Sequence, residues 1–297
     1  MQSCLTQTRP DIQLSDSERL YLLLDGGQIA ALEQSLFEVE GSPDYQPLYL
    51  YQPWDSLREA SPCLVSASAA LLEWFMEKRE SSWGYLLSSP LSLLPLAESL
   101  RTLIEAESPY GSRVLLKLAM PETAWRLFDG DDGWLWQGVS QVWIPIRAGW
   151  QHKQVPSPLL PRQGDRLRLT DEQWTRLGEV SWQHTLDAIS RHMATWFPAR
   201  LAEQPDASQW VAQWAQWGYD KGFQSERDQL LMFNVLGYLG LGAMQAPDVA
   251  SAQSGEDEHA DIRQLILSTS SQTPSQRIER AAELAQTRVQ NKKEIVA

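Results

Sequence analysis

The sequence predicts an α/β N-terminal domain with a mixed sheet, followed by an all-α helical C-terminal lobe. Three observations support this fold class. Short apolar runs alternate with amphipathic helical patterns through residue 147, which is typical of α/β domains. Residues 148–169 contain several prolines and interrupt that alternation. From residue 170 onward the apolar residues recur at helical spacing.

The N-terminal domain begins with the stretch "YLLLDGGQIAALEQSLFEVE", which predicts a strand, a glycine turn and a helix. The predicted strands are at residues 20–25, 48–51, 63–67, 83–89, 112–119 and, as the last strand, 140–146. The predicted helices begin at residue 28, span 69–78 and 92–107, and include a short one after Pro121. Short connections such as "SSPLS" also permit antiparallel neighbours, so the sheet is predicted to be mixed.

The resulting domain boundaries follow the changes in composition. The first 17 residues form no clear pattern and are predicted to be loose. We expect an α/β domain at 18–147, a linker at 148–169, a helical lobe at 170–245 and a polar tail at 246–297. Thr170 is a candidate N-cap for the first helix of the lobe. The tail carries two weak helical patterns in a polar composition that is compatible with partial disorder.

Charge and cysteine content restrict the classes of function. The net charge is −13, which disfavours general binding to nucleic acid or to an anionic membrane. The two cysteines, Cys4 and Cys63, form neither a disulfide framework nor a metal-binding cluster, and they suit a reducing cytoplasm. The N-terminus does not have the pattern of a signal peptide. Residues 230–244 are apolar but too short to span a bilayer, so they predict a buried helix and no stable membrane insertion.

The turn Asp25-Gly26-Gly27 stands where a nucleotide-binding loop would stand, between a strand and a helix. A dinucleotide fingerprint needs three spaced glycines, and a P-loop needs a lysine; this turn has neither. The pattern therefore favours a tight turn that uses the backbone freedom of glycine. An α/β enzyme with a nucleotide or metal site near Asp25 is kept as the alternative function.

Other motifs give little support to an enzyme. The acidic turn "DGDDG" at 129–133 lacks the glycine and glutamate positions of an EF-hand loop. The histidines His152, His184, His192 and His259 form no metal-binding or nucleophile motif, although His184 and His192 could share a helix face. We therefore expect no catalytic residues, no metal site and no cofactor.

Tryptophan is unusually abundant, with fourteen residues in the chain. Trp210, Trp214 and Trp217 recur at i, i+4 and i+7 and line one face of a predicted helix. Trp174 and Trp182 are placed to line another face. The stripe alone favours a helix-bundle core over an aromatic groove that receives an apolar helix of a partner.

Several stretches carry a family resemblance. They are "YLLLDGGQIAALEQSLFEVEGSPDYQPLYL", "SPCLVSAS", "WGYLLSSPLSLLPLAESLRTLIEAESPYGSRVLLKL" and "GVSQVWIPI". With them, about residues 20–147 resemble the effector adaptor or chaperone family of bacterial type VI secretion systems, long catalogued as a domain of unknown function. The chain departs from the family at "AMPETAW", where an aromatic-Asp-Pro step is usual.

The resemblance implies a cytoplasmic adaptor without catalysis, which serves bacterial competition and virulence. Such a protein binds a specific toxic effector and helps to load it onto the trimeric spike protein or its PAAR tip. Under this interpretation the Asp25-Gly26-Gly27 turn has a structural role and shapes the junction between the first strand and helix. Trp210, Trp214, Trp217 and Trp182 are then the candidate effector-binding residues. A third hypothesis, that the chain is itself a secreted effector, lacks a visible toxic site or membrane-active segment.

Overall fold

A computed structural model describes residues 9–78, 80–129, 133–162, 164–244, 259–268 and 270–296. The chain divides into two compact units, Met1–Val180 and Ser181–Ala297, and the division falls inside a long helix. Each unit has its own hydrophobic core. The α/β N-terminal part and the helical C-terminal part predicted from the sequence are both confirmed.

The first unit contains all of the described strands and four short helices. Its strands are β1 (Arg19–Asp25), β2 (Tyr45–Pro47), β3 (Pro62–Ser66), β4 (Gly84–Ser89), β5 (Glu105–Glu107), β6 (Arg113–Leu115), β7 (Gln141–Ile146) and β8 (Gly149–Gln154). Its helices are α1 (Leu32–Glu40), α2 (Ala69–Lys78), α3 (Leu93–Arg101) and α4 (Pro121–Leu127), with a 3-10 segment at Asp55–Ala60.

A six-stranded sheet organises the first unit in the order β2-β3-β1-β4-β7-β8. Every described pairing in this sheet is antiparallel. The short connections in the sequence permitted antiparallel neighbours, and the structure has them across the whole sheet. The strands β5 and β6 form a separate antiparallel hairpin. This hairpin gains a third partner where the Glu107 N–H donates to the Leu167 carbonyl and Glu107 accepts from the Leu169 N–H.

The central strands β1 and β4 are buried on both faces, which explains why their sequences are continuously apolar. In β1, Tyr21 and Leu23 enter one core cluster, together with apolar residues of α3 and α4. Leu22 and Leu24 enter the other cluster, together with residues of α1 and α2. Alternate residues of one strand thus anchor the helices on the two sides of the sheet.

Several predicted boundaries in the first unit were wrong for identifiable reasons. The strand predicted at 48–51 is displaced to β2. The Leu48 N–H still donates to the Pro62 carbonyl opposite it, but Pro62 has no N–H to return this bond and the Tyr49 N–H donates to the Ser61 hydroxyl, so the pairing ends there. The helix predicted at 92–107 ends at Arg101, since Glu105–Glu107 forms β5.

Two further strand predictions were also wrong. The strand predicted at 112–119 ends at Leu115, because a turn follows in which the Met120 N–H donates to the Lys117 carbonyl. The strand β7 is not the last one. It is followed by β8, whose sequence "GWQHKQ" lacks the aliphatic residues that mark a buried strand.

The first described residues are attached to the sheet although they form no helix or strand. The carbonyl of Asp11 accepts a hydrogen bond of 3.1 Å from the indole Nε1 of Trp143, and the carbonyl of Gln13 accepts one of 3.0 Å from Gln141. Residues 9–17 were predicted to be loose, and this prediction was wrong because it rested on composition and could not register contacts with a distant strand. Residues 1–8, which include Cys4, lie outside the described residues.

The second unit is helical. The helix α5 (Asp171–Trp196) begins in the first unit and continues into the second. The other helices are α6 (Pro198–Ala202), α7 (Ala207–Asp220), α8 (Glu226–Leu239), α9 (Ala260–Leu267) and α10 (Pro274–Val296), with a 3-10 turn at Leu241–Ala243. The N-cap predicted at Thr170 is confirmed as a capping box: its hydroxyl accepts from the Gln173 N–H at 3.1 Å, and Gln173 Oε1 accepts from the Thr170 N–H at 2.9 Å.

The helix α8 lies at the centre of the second core, as predicted for a buried helix in this apolar stretch. Met232, Phe233, Val235 and Leu236 are fully buried, and α8 packs mainly against α10. The buried Arg277 of α10 donates to the carbonyls of Leu265 and Ser268 at the end of α9 and so satisfies groups that a helix C-terminus leaves open. Both weak helical patterns of the tail therefore form helices that pack on the core.

The thiol of Cys63 provides a test of the sheet core. Cys63 is 2% exposed in β3, and burial raises the pKa of its thiol to about 12. Because only the thiolate reacts with disulfide reagents, we expect a Cys4→Ser variant to react with DTNB about a hundredfold more slowly when folded than in urea. A folded-state rate equal to that in urea would contradict the two-sided burial of the sheet.

Candidate partner-binding site on the helical unit

The helix α7 sets the positions of the tryptophan stripe. It begins after Asp206, whose carboxylate accepts a 2.9 Å hydrogen bond from the Gln209 N–H and so caps the first turn. The face that α7 buries most deeply carries Val211, Ala215 and Gly218. The stripe therefore lies along the flank of the buried face and not at its centre.

Trp210 is the one member of the stripe that belongs to the core. It is 8% exposed, and its ring meets Phe233 of α8 edge-to-face at 5.7 Å. The Trp210 indole N–H is buried without a described hydrogen-bond partner. An unsatisfied buried donor costs free energy. The contribution of Trp210 to the stability of this core must therefore come from the large apolar area of its ring.

Trp214 and Trp217 are brought together at the border of the core. Their rings meet at 5.3 Å in a T-shaped arrangement, and both are partly buried. The ammonium group of Lys221 lies 5.6 Å from the centre of the Trp217 ring. Part of each aromatic surface is therefore covered by the core, while part is open to solvent and available for contact.

Trp182 is not in ring contact with this pair among the described residues. It lies on α5 and meets Tyr219 of α7 at 5.5 Å, edge-to-face. Trp182 is partly buried and Tyr219 is 41% exposed. The four predicted residues therefore divide into a core residue, a touching pair and a separate aromatic pair.

Two residues of this surface were missed by the sequence reasoning. Tyr219 and Lys221 follow the stripe directly in "WGYDK". Tyr219 contacts Trp182, and Lys221 contacts Trp217. Their proximity in the sequence could have identified them, because α7 ends at Asp220 and its last turn exposes polar and aromatic side chains together.

The Asp25-Gly26-Gly27 turn has no free N–H group with which to hold a phosphate. The Gly26 N–H donates to the Ser61 carbonyl at 3.2 Å, and the Gly27 N–H donates to the Asp25 carboxylate at 2.9 Å. The next two N–H groups, at Gln28 and Ile29, donate to the Asp25 carbonyl. A phosphate loop works by presenting such groups to the ligand, so this turn has the geometry of an architectural element.

The acidic turn and the histidines that the sequence offered as candidate sites have partners within the protein. Asp129 at the start of the acidic turn pairs with Arg176 at 2.7 Å and with Lys153 at 3.2 Å, while residues 130–132 lie outside the described residues. His152 stacks on a tryptophan ring at 5.0 Å, and His192 is hydrogen-bonded to an asparagine at 2.6 Å. Within the described ranges, no group of three or more His, Cys, Asp or Glu residues is arranged to hold a metal ion.

The first unit also contains a cleft of about 1120 Å³ beside the start of α5. Much of its charge is already paired, as in the ion pair between Arg168 and Glu107 at 2.7 Å. Trp134 lines the cleft, and the guanidinium of Arg162 lies 3.6 Å from the centre of its ring. These contacts make the cleft a salt-bridged groove.

Comparison with known proteins identifies the family. Residues 20–137 match the model of a domain of unknown function, DUF4123. The chain is 41% identical over 287 residues to the accessory protein VasW of Vibrio cholerae serotype O1, which covers 96% of this chain and 94% of the relative. The chain belongs to this family. No solved structure matches the chain.

The family predicted from residues 20–147 is confirmed by these comparisons, because the matched domain covers nearly the same residues. The similarity to VasW extends further, through both units and both cores. In the part of the chain that the structure describes, no helix has the length and apolar character needed to cross a bilayer.

The architectural role of the turn can be tested with a pair of neighbouring glycines. A Cβ atom at Gly26 would lie 2.5 Å from the Ser61 carbonyl oxygen, whereas one at Gly27 would lie 3.1 Å from the movable Asp25 carboxylate. We expect Gly26→Ala to lower the free energy of unfolding by about 1–3 kcal/mol and Gly27→Ala to lower it less. Urea denaturation measures both. Equal, negligible effects would contradict the close approach at Gly26.

The division within the tryptophan stripe predicts different effects on stability. Trp210→Ala removes a buried ring from the core and should lower the free energy of unfolding by about 3–5 kcal/mol. Trp214→Ala and Trp217→Ala remove rings that are partly exposed, so each should cost clearly less. Urea denaturation followed by circular dichroism compares the three variants. If all three unfold at the same urea concentration, the stripe is a uniform core.

Proposed function

We propose that this protein is a cytoplasmic adaptor or chaperone of type VI secretion that binds one specific toxic effector. It then helps to load this effector onto the trimeric spike protein or its PAAR tip. The observation that carries the proposal is the 41% identity, over 96% of the chain, to a protein named as an accessory protein. The DUF4123 match supports it, since the resemblance from which the adaptor role is inferred lies in the same residues.

The effector contacts are proposed to centre on the tryptophans of the second unit. Trp214 and Trp217 present a partly open aromatic pair, and Trp182 contributes a second aromatic position next to Tyr219. Tryptophan and tyrosine are enriched among the residues that dominate binding energy, because they bury a large area with few rotatable bonds. Trp210 supports this surface from the core below it.

The proposed cargo segment is an apolar or amphipathic helix of the effector. Such a helix exposes a continuous apolar stripe before it reaches its target, and an exposed stripe of this kind promotes aggregation. Aromatic side chains at i, i+3 or i+4 and i+7 positions suit the geometry of a helix laid against a groove. An adaptor that covers the stripe would keep the effector in solution until loading.

We further propose that the protein acts without catalysis and without nucleic acid. The satisfied N–H groups of the Asp25 turn support the first point, because a nucleotide would have to replace hydrogen bonds that the fold uses. The net charge of −13 supports the second, because it repels polyanions. No observation favours the enzyme near Asp25 or a secreted toxin over the adaptor.

Affinity capture of the tagged full-length protein from its own host tests the proposal. We expect mass spectrometry to find one toxin together with a spike or PAAR protein. If neither protein is captured and the purified chain instead carries a nucleotide or metal ion, the adaptor function is wrong. Saturable stabilisation by a nucleotide in a thermal-shift experiment would lead to the same conclusion.

Variants of the aromatic pair then test the site. The double variant Trp214→Ala, Trp217→Ala should retain the fold by circular dichroism and should capture at least about tenfold less toxin, because it removes two binding anchors. Phe37→Ala is a matched control, since Phe37 is 47% exposed on α1 in the first unit. Unchanged toxin capture by the folded double variant would exclude this surface as the effector site.

A further inference from the structure

The outer edge of β6 is open for strand addition. In the β5-β6 hairpin, the Ser108 N–H donates to the Ser112 carbonyl, and the Leu116 N–H donates to the Ile104 carbonyl. These residues form the hydrogen-bonded pairs of the ladder. Hydrogen-bonded and non-hydrogen-bonded pairs alternate along antiparallel strands. Arg113 and Leu115, which lie between them at non-bonded positions, therefore direct their N–H and C=O groups away from β5.

The opposite strand confirms this alternation. Glu107 is the partner of Arg113 in the register of the hairpin, and its N–H and C=O groups bond outward to Leu167 and Leu169. The outward groups of β5 are thus used by a neighbouring segment, whereas none of the described hydrogen bonds outside the hairpin uses those of Arg113 or Leu115. Strand β6 is consequently the open side of a small sheet.

Exposed side chains flank this edge. Leu115 is 38% exposed, and Tyr110 at the tip of the hairpin is 76% exposed. The tip is well ordered by hydrogen bonds, since the Ser112 N–H donates to the Ser108 hydroxyl at 3.1 Å and the Gly111 N–H donates to the Ser108 carbonyl at 3.0 Å. An apolar and aromatic rim beside unpaired backbone groups is typical of edges that accept an added strand.

The charge of this edge differs from that of the protein as a whole. The chain carries −13, but residues 110–117, "YGSRVLLK", contain two cationic residues and no acidic one. Arg113 and Lys117 are exposed and have no ion pair among the described residues. The cross-strand neighbour Glu107 is already paired with Arg168 at 2.7 Å.

We propose that the β6 edge binds an extended, acidic segment of a partner protein as an added strand. The segment would bond its backbone to Arg113 and Leu115, place acidic side chains near Arg113 and Lys117, and pack an apolar side chain beside Leu115. This surface lies in the first unit, whereas the tryptophan surface lies in the second. The inference rests on the proposed adaptor function only in that an adaptor must hold more than one protein.

A synthetic peptide tests the edge without knowledge of the natural partner. The probe is a six-residue peptide of alternating valine and glutamate, capped at both ends, with a valine-lysine peptide as its control. We expect the acidic peptide to slow hydrogen exchange at the Arg113 and Leu115 amides of the full chain, and the lysine peptide to leave both rates unchanged. Binding should weaken when the salt concentration is raised, because it depends on partly exposed charges.

Two variants separate the backbone contribution from the charge contribution. Leu115→Pro removes an N–H group that points to solvent, and proline is tolerated at such positions of edge strands. Lys117→Glu reverses a charge of the edge and leaves the backbone unchanged. Each variant should raise the dissociation constant for the acidic peptide about tenfold. Lys78→Glu is the matched control, because Lys78 is an exposed lysine at the end of α2.

Three results would overturn the proposal. The first is exchange at Arg113 and Leu115 that stays unchanged at millimolar acidic peptide. The second is equal affinity for the acidic and the lysine peptides. The third is a self-associated protein that Leu115→Pro converts to monomers in sedimentation, since the edge would then pair with a second copy. If the acidic peptide binds but no secretion proteins are captured, this inference stands and the proposed function fails. If secretion proteins are captured but the peptide does not bind, the proposed function stands and this inference fails.

Discussion

The first unit depends on the burial of Tyr21–Leu24 in β1 and of the whole of β4. Leu22, Leu23 and Leu24 are each 0% exposed, and β1 is paired on both sides. A strand placed in this way has no contact with water through its faces or its edges. Each of its backbone groups must therefore bond to a neighbouring strand, and each of its side chains must meet a helix or an aromatic ring.

This constraint explains the glycines that border the two central strands. Gly84 opens β4 with a φ of 145°, and a side chain there would collide with the backbone of Leu23. Gly26 stands at the other junction, where the chain leaves β1 beside the Ser61 carbonyl. The strand-glycine-helix pattern at Asp25 thus results from close packing of backbones, which requires the same residue as a phosphate loop for a different reason.

The sequence predicted those elements whose residues are governed by local pattern. The helix at 69–78 is a run of helix-forming and apolar residues, β1 is a continuous apolar run that ends at a glycine turn, and the cap at Thr170 is a purely local signal. The strand β8 has no such signal, because its side chains are polar and its pairing with β7 is a tertiary property. The β5-β6 hairpin was similarly divided between a predicted helix and an over-long strand, since three-residue strands carry little periodicity.

The sequence predicted which tryptophans form the candidate site, but it could not predict how far each of them is exposed. Helical spacing placed Trp210, Trp214 and Trp217 on one face, but spacing alone does not tell the centre of a buried face from its border. That distinction arises because α7 approaches α8 closely at Gly218, where a side chain would collide with Met232. The close approach turns the Val211-Ala215-Gly218 face inward and leaves the tryptophans on the flank.

The same physical principle relates the two surfaces of the protein. A close contact on one side of an element fixes which side is left at the surface. In α7 the small residues occupy the core, so that the aromatic pair Trp214 and Trp217 lies at its border. In the hairpin, β5 is bonded on its outer side by the segment at Leu167–Leu169, so that β6 carries the open edge. One surface offers aromatic area and the other offers backbone groups with positive charge, so the two proposed sites call for partner segments of different chemistry.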